Sequence, residues 1–288
     1  MKSTTVRRAA LTAAAVLALS ATAACTSSGG SGQDEPSRKA AVPAAVTAAL
    51  RSAERSTDRA ESARVRSSTT MGSELSMTAD GVLAWSDGTT GTVTITYTSG
   101  TTADLMRRLG TTSMEARYLP DAYYARMGEQ FARQAGGRHW IRYGYDDLAD
   151  LGGGSGAELK NQMRSTTPNQ SVKLLLASGD VREVGAEKVR GENTTHYAGT
   201  VRLADLAAGE LRKQLTEAGV DRESVDIWVN DRDLLVKKVE RGRTASGAYT
   251  QTAYYSDYGV RVSAARPPAG DTEDFRQLLK KQGLTPDA

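Results

Sequence analysis

The sequence has little of the residues that build metal centres and disulfide frameworks. Its 288 residues include one cysteine, two histidines and two phenylalanines. A single cysteine excludes an internal disulfide framework and a cysteine-based zinc site, and two histidines leave little room for a histidine-rich metal site. The glycine motifs that bind nucleotide phosphates and dinucleotides are also missing. We therefore predict that the protein uses no metal and no cofactor.

The net charge of the chain is zero once the first 24 residues are set aside. The chain has 37 basic and 34 acidic residues, and three of the basic ones, Lys2, Arg7 and Arg8, belong to that first segment. Without them, 34 basic residues balance 34 acidic ones. A neutral chain gives no reason to expect nucleic acid as the main partner.

The first 24 residues have the order of a bacterial signal peptide. A basic stretch ends at Arg8, and residues 9–24 (AALTAAAVLALSATAA) are apolar or small. This run is shorter than the roughly 20 residues that a membrane-spanning helix needs. The pair Arg7-Arg8 leaves both the general secretory route and the twin-arginine route open.

Cys25 follows Thr22-Ala23-Ala24, and the four residues together resemble the lipobox of bacterial lipoproteins. In that motif the cysteine receives a diacylglycerol and the preceding peptide is removed, so the resemblance implies lipid attachment at Cys25. Residues 26–37 are polar and rich in glycine and serine, which predicts a flexible tether with a span of roughly 20 Å. We predict a signal peptide at 1–24, a lipidated N-terminus and tether at 25–37, and one domain at 38–288, anchored by its lipid on the outer face of the cell membrane.

The rest of the chain alternates helix patterns with strand patterns. A helix is predicted from Pro43 onward, because proline loses no hydrogen bond at a helix start. Further predicted helices are 157–164, 170–177, 203–218 and 271–282, and residues 101–110 fit a helix or a strand. The glycine-rich run at 152–156 is predicted as a flexible break.

Apolar residues at every second position predict antiparallel strands with one buried face. Asp80-Gly81 and Asp87-Gly88 are predicted as turns in the first strand region. The whole pattern predicts an α+β fold in which helices cover one face of a large antiparallel sheet. The predicted strand regions are 63–97, 114–118, 122–127, 139–145, 181–190, 194–201, 224–230, 234–243 and 247–258.

Taken in order, these elements resemble the LppX/LprAFG-type lipoproteins of actinobacteria, which belong with the LolA-like half-barrels. The segments that carry the resemblance are 122–127 (AYYARM), 139–141 (HWI), 194–201 (TTHYAGTV) and 225–230 (VDIWVN). The resemblance covers roughly residues 38–265. It implies a curved antiparallel sheet with helices packed on its concave face and an apolar cavity between them. With two phenylalanines against 11 tyrosines, a smaller, more polar or collapsed cavity is an open alternative.

The apolar strand faces are the candidate ligand-binding residues. An α+β domain that binds no ligand would have the same row of apolar side chains, packed in a filled core. A ligand cavity and a filled core therefore both remain open interpretations of these strand faces. The candidates are Leu75, Met77, Leu83, Trp85, Val93, Ile95, Tyr97, Val225, Ile227 and Val229.

Two functions follow from these patterns. The first is a membrane-anchored lipoprotein that binds a lipid or another apolar envelope molecule for transport or presentation. The alternative is an anchored interaction module of a membrane-protein partner, with no bound ligand. No catalytic site is predicted, because the residues around Ser155 lack the last glycine of a nucleophile elbow and no acidic residue is spaced to orient His196.

Overall fold

A twelve-stranded sheet forms the framework of the protein. The computed structural model describes residues 42–149, 167–244 and 247–281. The strands are β1 (Ser62–Met71), β2 (Leu75–Ala84), β3 (Thr90–Ser99), β4 (Ser113–Tyr118), β5 (Ala122–Arg126), β6 (Trp140–Gly144), β7 (Arg182–Val189), β8 (Glu192–Arg202), β9 (Arg222–Asn230), β10 (Leu235–Thr244), β11 (Gly247–Ser256) and β12 (Thr272–Asp274). Across the sheet their order is β12-β6-β5-β4-β3-β2-β1-β11-β10-β9-β8-β7.

The sheet consists of two runs of sequential strands that meet in its centre. Strands β1 to β6 form one antiparallel run and β7 to β11 form the other, and β1 pairs antiparallel with β11 where the runs join. Strand β12 pairs parallel with β6 at one edge. The predicted α+β fold with one large, mostly antiparallel sheet is confirmed.

Seven α-helices accompany the sheet in the described part of the chain, on the concave face as predicted. Helix α1 packs on α5, and α5 packs on β8 and β9. None of the helices in these ranges is long and apolar enough to cross a membrane. The helices are α1 (Ala44–Arg59), α2 (Thr101–Arg108), α3 (Glu129–Gln134), α4 (Tyr145–Ala149), α5 (Asn169–Ser178), α6 (Glu210–Glu217) and α7 (Phe275–Lys281).

Helix α1 begins as the sequence predicts. Pro43 occupies the position just before its first turn, and Val46, Leu50, Ala53 and Thr57 form its buried face at spacings of three and four residues. Leu50 and Ala53 are fully buried in the main hydrophobic core. The charged residues of α1 lie on its other face, so the helix closes the core with one side and meets water with the other.

The prediction of a turn at Asp80-Gly81 is wrong, because both residues lie inside β2. A Cβ atom on Gly81 would lie 2.2 Å from the carbonyl oxygen of Thr92 on β3, so glycine is required here by the close approach of the neighbouring strand. Asp80 accepts hydrogen bonds of 2.6 Å from Arg64 and from Arg66 of β1. The second predicted turn, at Asp87-Gly88, does lie between β2 and β3.

Two predicted helices differ from those observed. The segment 203–218 is a short 3-10 turn at Leu203–Asp205 followed by α6, because Leu206 is extended and buried between them. The segment 271–282 begins as strand β12 and becomes helical at Phe275, since its first residues pair with β6. Residues 101–110 contain α2.

Several predictions fall outside the described residues. These are the signal peptide, Cys25 and the tether, the glycine-rich run at 152–156 and the helix at 157–164.

Candidate functional site

A cavity of about 670 Å³ lies between the sheet and the helices. Its walls come from β1–β6, β9–β11, α2, α5 and α6. Along each strand every second side chain faces it, as the alternation of a β-strand requires. Ligand pockets in proteins measure roughly 300–1,000 Å³, so this space is large enough for a small molecule or a lipid.

Six of the ten predicted ligand-binding residues line this cavity. They all come from β2 and β3 and are Leu75, Met77, Leu83, Val93, Ile95 and Tyr97.

The other four predicted residues lie elsewhere. Val225, Ile227 and Val229 are buried in the hydrophobic core on β9, where α5 packs directly on the sheet. A Cβ atom on Gly199 of β8 would lie 2.9 Å from Leu175 of α5, which shows how closely this helix approaches. Trp85 follows the end of β2 and its ring meets that of Tyr258 edge to face.

Methionine is frequent in the cavity wall. Five methionines line it, and they are all the methionines within the described residues. The unbranched thioether side chain adapts to irregular shapes, and methionine-rich walls are typical of surfaces that accept several ligands. The sequence does not reveal this cluster, because its members come from four elements and one loop. They are Met71, Met77, Met106, Met114 and Met127.

Three tyrosines and one phenylalanine form a ring stack at the β4–β6 side of the cavity. The ring centroids of Tyr118 and Tyr123 are 5.1 Å apart, those of Tyr123 and Tyr143 are 5.8 Å apart, and Phe275 of α7 packs on Tyr143 at 4.7 Å. Burial raises the pKa of Tyr143 to about 12 and raises the pKa of the other two tyrosines further. All three hydroxyls therefore stay neutral in the physiological pH range.

A buried charged cluster lies in the cavity wall on β9 and β10. The ammonium of Lys238 donates a 2.9 Å hydrogen bond to Oε2 of Glu240, two residues along the same strand face. Ser171 of α5 donates to the other oxygen of Glu240. On the neighbouring strand, Glu223 accepts a 2.6 Å hydrogen bond from the hydroxyl of Tyr249. All three charged side chains are buried, although they also border the cavity.

Glu223 on β9 and Lys238 on β10 respond differently to burial. Burial, and then the nearby charge of Glu240, raise the pKa of Glu223 to about 7, while Tyr249 and Lys238 oppose this shift. Burial by itself would lower the pKa of Lys238. Glu240 and other neighbours raise this pKa by more than burial lowers it, so the ammonium stays charged. A buried ion pair is weak evidence for stability, since desolvation costs about as much as the attraction returns.

Gly242 explains how Tyr249 reaches Glu223. In the sheet register Gly242 of β10 lies between them, opposite Tyr249 on one side and opposite Glu223 on the other. A Cβ atom on Gly242 would lie 2.6 Å from Cε1 and 2.8 Å from the hydroxyl oxygen of Tyr249. The tyrosine ring therefore crosses β10 over the space that glycine leaves.

His196 lies on the other face of the sheet, and the prediction that no acidic residue orients it is wrong. Its Nε2 is 2.8 Å from Oδ1 of Asp226 on the neighbouring strand, a partner that sequence spacing does not reveal. Its ring stacks on Trp228 at 4.2 Å, and the ammonium of Lys237 lies 3.8 Å from the centre of the same indole ring. These contacts hold the imidazole as part of a packed surface cluster.

The described ranges contain no candidate metal site. No group of three or more His, Cys, Asp or Glu residues there is arranged to hold an ion.

The comparisons with known structures agree with the fold. The crystal structure of LprF from Mycobacterium bovis is similar with a TM-score of 0.50 and 13% identity, covering 80% of this chain and 100% of that one. The crystal structure of LppX from Mycobacterium tuberculosis has a TM-score of 0.49 and 16% identity, covering 77% of this chain and 98% of that one. The likeness to LprF supports the observed fold, a large and mostly antiparallel sheet with helices packed on it.

Sequence relatives define the family more closely. The Streptomyces coelicolor protein named "Putative lipoprotein SCO4650" is 57% identical over 300 aligned residues, which cover 98% of this chain and 100% of that one. The chain belongs to the same lipoprotein family. A Streptomyces griseus protein named "Uncharacterized 31.2 kDa protein in rplA-rplJ intergenic region" is 50% identical over 240 residues, 80% of this chain and 79% of that one. No protein-family model matches the chain.

Proposed function

We propose that this protein is a membrane-anchored lipoprotein that binds a lipid or another apolar envelope molecule in its cavity and carries or presents it. The observation that supports this most is the cavity of about 670 Å³, lined by alternating side chains of nine strands. A protein that served only as an interaction module would gain stability from filling such a space, because empty apolar volume is costly. The cavity therefore favours the ligand-binding function over the interaction module.

The anchor in this proposal is the lipidated Cys25, with residues 26–37 as the tether and the domain on the outer face of the membrane. Each buried methylene group contributes about 0.8 kcal/mol, and two or more acyl chains make anchoring stable where one is marginal. The family relationship to a protein named as a lipoprotein supports this arrangement. The lipid would keep the cavity close to its source of ligand.

Catalysis is not part of the proposed function. Neither histidine borders the cavity, and His196 and His139 each contact carboxylates away from it. A nucleophile in the cavity would thus lack a histidine base.

Native mass spectrometry of residues 26–288, purified from an actinobacterial host, tests the proposal. We expect a population heavier than the bare chain by one ligand, which lipid extraction then identifies. A chain that carries nothing and takes up no lipid or other apolar molecule on titration would contradict the proposal and support the interaction module.

A further inference from the structure

Acidic residues outnumber basic residues in the cavity wall. The charged residues that border it are Glu217, Glu223, Lys238 and Glu240. When all four are ionised, the cavity has an excess of two negative charges. Because low-dielectric surroundings strengthen electrostatic interactions, this excess acts on any charged group that enters.

Within the described chain, ion pairs neutralise two of the three acidic residues, and Glu223 is the one without a cation as partner. Lys238 neutralises Glu240 at 2.9 Å, and Glu217 has Lys213 as its partner at 3.8 Å. Among the described residues, Glu223 accepts one hydrogen bond, from the neutral hydroxyl of Tyr249, and forms no ion pair. A buried carboxylate without a cation is costly. When Glu223 is ionised, the site therefore lacks one positive charge.

The apolar part of the cavity extends away from this carboxylate. Glu223 lies on β9, whereas the aromatic stack lies on β4–β6. Neighbouring strands are about 4.8 Å apart, so the six steps from β9 across β10, β11, β1, β2 and β3 to β4 correspond to roughly 29 Å along the curved sheet. The methionines lie on the β1–β5 side of this path. The cavity thus offers an elongated apolar wall with an acidic group towards one side.

We infer that the cavity binds an amphiphile with an apolar body and a positively charged amine as its polar group, and that Glu223 is the partner of that amine. The inference rests on the proposed ligand-binding function and specifies the class of ligand. An amine supplies both the missing charge and hydrogen-bond donors to the carboxylate. An alcohol supplies a donor but no charge, and a carboxylate meets repulsion, because Lys238, the one cation among the described lining residues, is already paired with Glu240.

Three probes with the same apolar chain separate these cases: dodecylamine, dodecanol and dodecanoate. Each is titrated by calorimetry, below its micelle concentration or solubility limit, into the delipidated mature chain carrying Cys25→Ser. At pH 8 Glu223 is mostly ionised, since burial raises its pKa to about 7. We expect the amine to bind at least tenfold more tightly than the alcohol, and the alcohol more tightly than the carboxylate.

Two variants identify the residue responsible. In Glu223→Gln, the amine should lose its tenfold advantage while the alcohol binds as before. In Glu183→Gln, which alters an exposed carboxylate on β7 outside the cavity wall, the advantage should remain.

The outcomes also separate this inference from the proposed function. If the alcohol and the carboxylate bind as well as the amine, or if the preference survives in Glu223→Gln, the amine assignment is wrong and the ligand-binding function stands. If none of the three probes binds, the proposed function fails together with the inference.

Discussion

Tyr249 donates its hydroxyl hydrogen to Glu223 across the full width of β10, over the backbone of Gly242. The three residues lie in register on three neighbouring strands. The glycine makes room for the ring, the ring carries the donor, and the donor reaches a buried carboxylate in the cavity wall. The absence of a side chain at Gly242 thus allows Tyr249 to contact the carboxylate of Glu223.

Gly242→Ala should break this contact. The new Cβ would collide with the Tyr249 ring at 2.6 Å, so the ring must move and Glu223 loses its donor. Overpacking and a lost hydrogen bond to a buried charge each cost about 1–3 kcal/mol, and we expect a destabilisation of that order. Urea denaturation measures it. Gly270→Ala, where a Cβ meets nothing within 4 Å, is the control; equal stability of the two variants would refute the steric argument.

Glu223→Gln should stabilise the protein at pH 8 and have little effect at pH 4.5. The pKa of Glu223 is about 7 in the folded protein, against an ordinary value of 4.5. Between these values the folded state holds a proton that the unfolded state has released, so stability falls as the pH rises from 4.5 to 7. The full loss is on the order of 3 kcal/mol.

Glutamine removes this titration. The groups that face Glu223 are Lys238, Glu240 and Tyr249, and all three are unchanged in the variant. The difference in unfolding free energy between wild type and variant, measured by urea denaturation at several pH values, should therefore follow the protonation of one carboxyl. A difference that stays constant from pH 4.5 to pH 8 would show that Glu223 does not titrate in this range.

Glu273→Gln should loosen the C-terminal segment. Glu273 of β12 is buried and forms ion pairs with Arg138 and, at 3.0 Å, with Lys281. Both cations are partly exposed, so the expected loss is on the order of 1 kcal/mol. Faster hydrogen exchange in residues 272–281 is the measurement. The exposed Glu74→Gln serves as the control, and exchange rates that match the wild type in both variants would contradict the prediction.

Ala79→Trp should reduce ligand binding by filling the cavity. Ala79 is partly buried on the cavity side of β2, so a large side chain there occupies ligand space. Thr78→Trp places the same ring on the exposed face of the same strand. Native mass spectrometry should find at least fivefold less bound ligand in the first variant only. Similar occupancy in both would place the ligand elsewhere.

Cys25→Ala should release the protein from the membrane or block its maturation. The variant lacks the thiol that would receive the diacylglycerol, and one apolar segment of 16 residues is too short to span. Cell fractionation followed by immunodetection measures the result. Retention in the membrane fraction at the wild-type level would refute lipid anchoring through this residue.

The sequence predicts most of the strands, because their patterns are local. Alternation along Leu75–Met77 and Val93–Tyr97 reflects one buried face, and the observed strands agree with it. Strand β12 has no such pattern. Its three residues are extended because they pair with β6, whose sequence lies more than 125 positions earlier.

The cavity is harder to predict. Alternation of apolar and polar residues shows which face of a strand is buried, but it does not show whether a helix packs directly on that face. Ile95 and Ile227 have the same pattern around them, yet Ile95 borders the cavity and Ile227 is packed in the core beside α5. The position of that helix makes the difference. The partners of Glu223 and His196 are likewise side chains from other strands, and only the register of the sheet brings them together.

The pairing of β1 with β11 sets an order of events during folding. Val65 lies opposite Tyr255, 190 positions later, and both border the cavity. Hairpins within each run can close early, but joining the runs means closing a very long loop, which is slow. The two halves of the cavity therefore come together last, and under the proposed function a new chain can hold ligand only after its C-terminal strands have paired.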